Sequence, residues 1–170
     1  MMMRQSGLTI IEMMIGIAIV AVIMVQAVPS MNGYFRDSAI RRVADEMRMG
    51  VQLAKSEAIR RNDVVQFVPA ATGWSVQAVP AGGGNIVINS RTAQGSEAQV
   101  NAAASAANVS FNGRGRANMV GMFTVNITNP TAGGCQDAGG IVRCLSLTVS
   151  RSGQIRLCDP VLAAADPRSC

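Results

Sequence analysis

With 170 residues, 49% of them hydrophobic, the chain has material for one ordinary domain and one further segment. Lys and Arg number 15 against 10 Asp and Glu, a formal charge of +5 that permits attraction to anionic surfaces or nucleic acid without demanding it. There is no histidine, so the usual general base, the usual zinc ligand and the physiological pH switch are missing together.

The chain opens with residues 1–7, MMMRQSG, a short leader with one cation, Arg4. From 8 to 28 every residue is apolar or small except Thr9, Glu12 and Gln26. Those 21 residues rise about 31 Å at roughly 1.5 Å per residue, enough to cross a bilayer. Arg4 on the near side predicts a cytoplasmic leader and an exported remainder. A secretory signal would be cut after the apolar stretch at small residues, but Gln26-Ala27-Val28-Pro29-Ser30 matches such a site poorly. Glu12 lies near the start of the stretch. A carboxylate there costs up to about 2.5–3.5 kcal/mol at mid-membrane and less toward the end, so it requires a reason.

Gly7-Leu8-Thr9-Ile10-Ile11-Glu12 resembles the type III signal of type IV prepilins. The resemblance implies that a prepilin peptidase cuts between Gly7 and Leu8 and methylates the new N-terminus, leaving 14 Lys+Arg against 10 Asp+Glu, or +4. The family usually has Phe after the glycine; Leu8 departs from that, as minor pilins and pseudopilins also do. Glu12 falls on the family's glutamate. By that resemblance it pairs with the N-terminal amine of a neighbouring subunit and sets filament register, a pairing that a buried carboxylate needs in any case. Pro29 falls where many pilins carry a helix-kinking proline, and a bend is expected there or at Gly33.

Beyond Gly33, Ile40, Val43, Met47, Val51, Ala54 and Ala58 recur at steps of three or four, a one-sided apolar stripe. Charged residues take mostly the other faces, and Asp37 with Arg41 and Glu57 with Arg61 have helix-supporting spacing. The helix is expected to stop near Asn62-Asp63. It therefore divides into a membrane-spanning or filament-core half, 8–29, and an amphipathic half, 30–63.

From Val64 onward short β-rich runs alternate with Gly, Pro and Asn turns. Strands are expected at 64–68, 74–79, 86–90, 108–112, 122–127, 141–150 and 154–158. Residues 93–107, rich in Ala, Gln, Ser and Asn, are expected to form a mobile loop. The fold class is α+β: a long N-terminal helix packed on an antiparallel β-sheet domain, 64–170, as in pilins. LAKSEAIRRN at 53–62, VSFNGRG at 109–115 and SGQIR at 152–156 ahead of Cys158 together resemble the layout of the GspH/FimT-type minor pilins. This likeness covers nearly the whole chain and is loosest through 70–107.

All four cysteines, Cys135, Cys144, Cys158 and Cys170, lie in the last 36 residues. Their spacing fits no zinc motif, and an even number in an exported chain argues for disulfides. Three pairings are open; 135 with 144 and 158 with 170 is favoured because each closes a short local loop. Enzyme chemistry has no foothold, since nothing assembles an activated nucleophile. Gly113-Arg114-Gly115-Arg116 lacks the lysine and hydroxyl residue of a phosphate loop. Asp159 and Asp166 fall short of the six or more oxygens that calcium takes. No catalytic residue, metal or cofactor is expected.

What the resemblance implies is a minor pilin that helps start or cap a type IV pilus. Its partners would be other pilins and minor pilins, the prepilin peptidase and the inner-membrane assembly platform. It would be held in the inner membrane by the helix, with a periplasmic domain, before entering the filament. One alternative is a minor pseudopilin of type II secretion. Another is DNA capture, because FimT-type pilins that bind DNA resemble this chain near Gly153-Gln154-Ile155-Arg156, with Arg143, Arg151 and Arg168 as further candidates. On one strand Arg151 and Arg156 would face opposite ways unless a turn at Gly153 intervenes. With 4% aromatic residues, DNA binding would be phosphate-led and salt-sensitive rather than stacked.

Overall fold

The structure, a computed structural model, describes residues 9–170, excepting the side chains of 25–32 and 96. Gly7 and Leu8 lie outside the described residues. Helix α1 (Ile10–Arg61) is followed by strands β1 (Val65–Ala70), β2 (Gly73–Ala78), β3 (Ile86–Thr92), β4 (Asn101–Ala104), β5 (Val109–Phe111), β6 (Phe123–Thr128), β7 (Leu145–Val149) and β8 (Ile155–Cys158). The chain divides into two compact units, one ending at Phe35 and the other Arg36–Cys170.

In the first unit the helical side chains from Ile10 to Met24 are all exposed. Among the described residues no helix is long and apolar enough to cross a membrane. The stretch expected to do so, 8–28, includes Leu8 and the side chains of 25–28, which are not described. Assignment of α1 is continuous through Pro29.

The second unit is a domain with its own core. Ile40, Val43, Met47, Val51, Ala54 and Ala58 are all buried, and they form one cluster with the inner faces of two antiparallel sheets. The first sheet has the order β3-β2-β1-β5 and the second β4-β6-β7-β8. Phe67, Phe111, Phe123, Ile127 and Leu147 are the sheets' large buried contributions. Each such side chain is worth about 1.5–3 kcal/mol of transfer free energy.

The helix stops where the sequence supplies an asparagine able to turn left-handed. Asn62 takes φ of 50°, its N–H donates to the Ile59 carbonyl, and Asp63 N–H donates to that of Ala58. This pair of bonds satisfies carbonyls that the last turn leaves orphaned.

Two expectations are corrected. Residues 93–107 are not a loop without structure: a 3-10 turn spans Gly95–Gln99, and β4 pairs with β6 from Asn101↔Thr128 to Ala104↔Val125. Val100 and Ala102 are buried there, so packing orders a segment whose small residues carry little strand propensity. The strand expected at 141–150 begins only at Leu145. Its first residues are taken by a disulfide loop, where Val142 N–H donates to Gly134 O and Gln136 N–H to Val142 O.

Candidate functional site

Glu12 sits in the first turn of α1, where a carboxylate complements the helix dipole, and its backbone N–H lies 3.4 Å from Thr9 Oγ1. Its side chain is exposed, as are Ile10, Ile11, Met13 and Met14 around it. Among the described residues none forms an ion pair with it. The carboxylate and the apolar surface beside it thus point outward from their own chain.

The four candidate arginines are not gathered in one place. Arg143 and Arg168 line a groove of about 290 Å³ between the start of the domain's helical segment and the C-terminal loop. Asp37, Arg41 and Asp45, at steps of four, form the helical wall; Leu145, Leu157 and Leu162 supply apolar surface. Arg143 Nε donates to Asp159 Oδ2 at 2.5 Å, and Asp159 is 3% exposed. Arg168 grips Asp166 through Nε and Nη2, which lowers the Asp166 carboxyl to about 2 and raises the guanidinium. The groove's three arginines face three aspartates, Asp37, Asp45 and Asp159, so its charges cancel. Arg156 donates to the Pro167 carbonyl at 3.0 Å. A turn does intervene at Gly153, with φ of 77°, which leaves Arg151 at the tip of the β7–β8 hairpin and Arg156 on β8. Asp159 and Asp166 are thus engaged by arginines, and the described residues contain no cluster of three or more potential metal ligands.

Both disulfides belong to this C-terminal region. Cys135 joins Cys144 with Cα atoms 5.5 Å apart, and Cys158 joins Cys170 at 5.1 Å. The second bridge closes the loop that carries Asp159, Leu162 and Arg168 into the groove.

At the other end of the domain the three sequence runs quoted above converge. Lys55 Nζ donates to the Gly153 carbonyl at 2.8 Å, and Ala117 N–H donates to Arg151 O at 3.2 Å. A Cβ on Gly153 would stand 2.1 Å from Gly115 O, and one on Gly113 would stand 2.3 Å from Asn62 Oδ1. Only glycine permits that approach. Glu57, in the same helical turn, accepts from Arg60 and Arg61, which hold its carboxyl down at about 2.

Residues 43–158, more than half of the chain, match the family model described as type II transport protein GspH. The chain belongs to the GspH family. The GspH match starts within the buried helical stripe and ends on Cys158, so it takes in the convergence of the three runs and leaves out the loop closed by Cys170. Residues 2–25 match the model of the prokaryotic N-terminal methylation motif. No curated protein matches the chain significantly. Among solved structures it is similar to the type IV minor pilin FimU of Pseudomonas aeruginosa in two crystal forms, at 20% identity in each. The TM-scores are 0.53 and 0.55, with 76% and 77% of this chain and 98% and 94% of FimU covered. The minor pseudopilin EpsH from the type 2 secretion system of Vibrio cholerae is similar at 15% identity and TM-score 0.54, with 72% of this chain and 98% of EpsH covered. At these identities the likeness carries the fold, a helix with antiparallel sheets, which is the α+β architecture expected from the sequence.

The groove sets Asp37, Arg41 and Asp45 opposite Arg143 and Arg168. Their spacing of four marked one helical face; the partners opposite are set by tertiary structure alone.

Proposed function

We propose that this GspH-family chain is a minor pilin of a type IV pilus. Prepilin peptidase cuts it between Gly7 and Leu8 and methylates Leu8. Residues 8–29 hold it in the inner membrane, with the domain in the periplasm, until the assembly platform moves it into a filament beside other pilins and minor pilins. The observation that carries this reading is the methylation-motif match over residues 2–25. The outward-facing apolar surface of α1 up to Met24 supports it. Such a surface is accommodated by lipid first and by neighbouring helices afterward, where close van der Waals packing favours association. Glu12 then meets the amine of a neighbour, because a carboxylate in that environment persists only when paired. A bend at Pro29 would let the helix bundle adjust as it passes from lipid to filament.

A second reading, a minor pseudopilin of type II secretion, is favoured by the description of the matching family model and by the likeness to EpsH. Deleting the gene and scoring piliation and twitching against protein secretion separates the two. DNA capture at Arg143 and Arg168 draws no support from the groove, whose charges already cancel.

The test of assembly is Glu12→Ala. The variant is expected to be cleaved and membrane-inserted like the wild type but to be missing from the sheared filament fraction. Incorporation at the wild-type level would overturn the role of Glu12 in register. Absence of the wild-type chain from any filament would overturn the reading as a whole.

A further inference from the structure

Two properties of the Arg36–Cys170 domain are concentrated at the end where α1 terminates. Strand register defines that end: Val65 lies opposite Ala78 and Phe111, Ala78 lies opposite Ile86, and in the second sheet Phe123, Val149 and Ile155 stand in line. The Lys55–Gly153 hydrogen bond ties the β7–β8 turn to the helix there, and the Ala117–Arg151 bond ties the loop after β5 to that turn.

The first property is charge. Residues 36–170 hold 14 Lys+Arg against 9 Asp+Glu, or +5. This end alone has Lys55, Arg60, Arg61, Arg114, Arg116 and Arg151 against Glu57 and Asp63, or +4, which leaves +1 for the rest of the domain. Glu57 is already shared by Arg60 and Arg61. Arg114, Arg116 and Arg151 are exposed, and among the described residues no carboxylate pairs with them.

The second property is exposed apolar surface. Among the described residues of the domain, nine large apolar side chains are exposed, and six of them, Ile59, Val64, Ile86, Val87, Val120 and Met122, stand at this end. Val120, on the loop between β5 and β6, is 99% exposed. Apolar side chains interspersed with unpaired arginines have the make-up of a protein interface. A phosphate backbone would answer the arginines but not the six exposed apolar side chains among them, which a protein surface can cover.

We infer that this end of the domain docks on an acidic, apolar-centred surface of a different protein. A second copy of this chain does not fit. Its matching end would bring +4 against +4, and the remainder of its domain carries no negative excess to meet. Charge complementarity therefore selects a heterologous partner, with Val120 and Met122 in the apolar centre and Arg114, Arg116 and Arg151 at the rim.

The test places a photo-cross-linking amino acid at Val120 of the full-length chain in the cells that make it, with Ile141 as control position. The expected result is an adduct with another protein from Val120 only, mapped to a segment bearing Asp or Glu. Arg114→Glu with Arg151→Glu should lower its yield about tenfold or more, since both side chains then repel the acidic surface. Lys in place of the mapped acid should restore the yield in that variant. Intact disulfides on a non-reducing gel show that the variant still folds. A self-adduct, a nuclease-sensitive or lipid adduct, no adduct, or a yield unmoved by charge reversal would each overturn the inference. A chain that is missing from filaments yet still cross-links to an acidic partner would overturn the pilin reading and leave this inference standing.

Discussion

Arg143 and Asp159 are joined across sixteen residues by a hydrogen bond of 2.5 Å between the residue just before the Cys144–β7 junction and the residue that follows β8. Asp159 is held on every side. Its Oδ1 accepts from Val161 N–H at 3.0 Å, and its own N–H donates to the Arg168 carbonyl at 2.8 Å. One buried carboxylate thereby fixes the start of the loop that the Cys158–Cys170 bridge closes.

Arg143→Ala should therefore cost more than a surface substitution. Removing one partner leaves a buried charge without compensation, about 3–5 kcal/mol where both groups are buried. A third of the Arg143 side chain is exposed, which admits water and lowers the expected loss to about 2 kcal/mol. Thermal unfolding should show a fall of several degrees. Arg156→Ala, which removes only an exposed hydrogen bond to Pro167 O, should stay within about 0.5 kcal/mol.

Replacing Cys158 and Cys170 together by serine should destabilise the domain by about 3 kcal/mol, the loop-closure entropy of a bridge spanning 12 residues. The Cys135–Cys144 bridge, spanning 9, should give nearly the same loss. Chemical denaturation with and without reductant measures both. Only the 158–170 pair should also expose Asp159 and raise proteolysis after Arg168, because that loop forms one wall of the groove.

What could be read from the sequence depended on whether the deciding contacts were local. The stripe from Ile40 to Ala58 is legible because a helix repeats every 3.6 residues, and the end at Asn62 is legible because asparagine tolerates φ of 50°. Strand β4 was illegible: Asn-Ala-Ala-Ala has no β-branched or aromatic residue, and only pairing with β6 makes it a strand. The Gly7–Glu12 signal is linear, since a peptidase reads it in the chain. The groove is not. Arg168 meets Asp166 only two residues away, but Arg143 reaches Asp159 across sixteen residues, and Asp37 and Asp45 come to face them only in the folded chain.

Gly50→Ala tests how tightly α1 sits on the first sheet. A Cβ at Gly50 would stand 2.8 Å from Phe67 Cε2 and 2.8 Å from Trp74 Cδ2. Alanine gains about 1 kcal/mol in helix propensity, but overpacking against two rings costs about 1–3 kcal/mol. Both rings are backed by buried core, so the cost should win by about 1 kcal/mol. Trp74 is the sole tryptophan, so its emission should shift as the ring moves. An unchanged spectrum with raised stability would show that the helix can slide away.

Acid should weaken the last turn of α1 through Glu57. Its carboxylate accepts from Arg60 at 2.6 Å and from Arg61 at 2.8 Å, which lowers its pKa from 4.5 to about 2. Because the folded value lies below the ordinary one, the stabilisation is complete above about pH 4.5 and is lost as the pH falls toward about 2. The arginines are well exposed, so the effect should be modest and should shrink further in salt. A carboxyl-carbon NMR titration should place the Glu57 midpoint near 2 in the wild type, and higher once Arg60 and Arg61 are both replaced by alanine. Glu57→Gln should remove this part of the acid sensitivity while leaving that of Asp166, which Arg168 lowers independently to about 2. A wild-type Glu57 midpoint near 4.5 would mean that water, not the two guanidiniums, solvates the carboxylate.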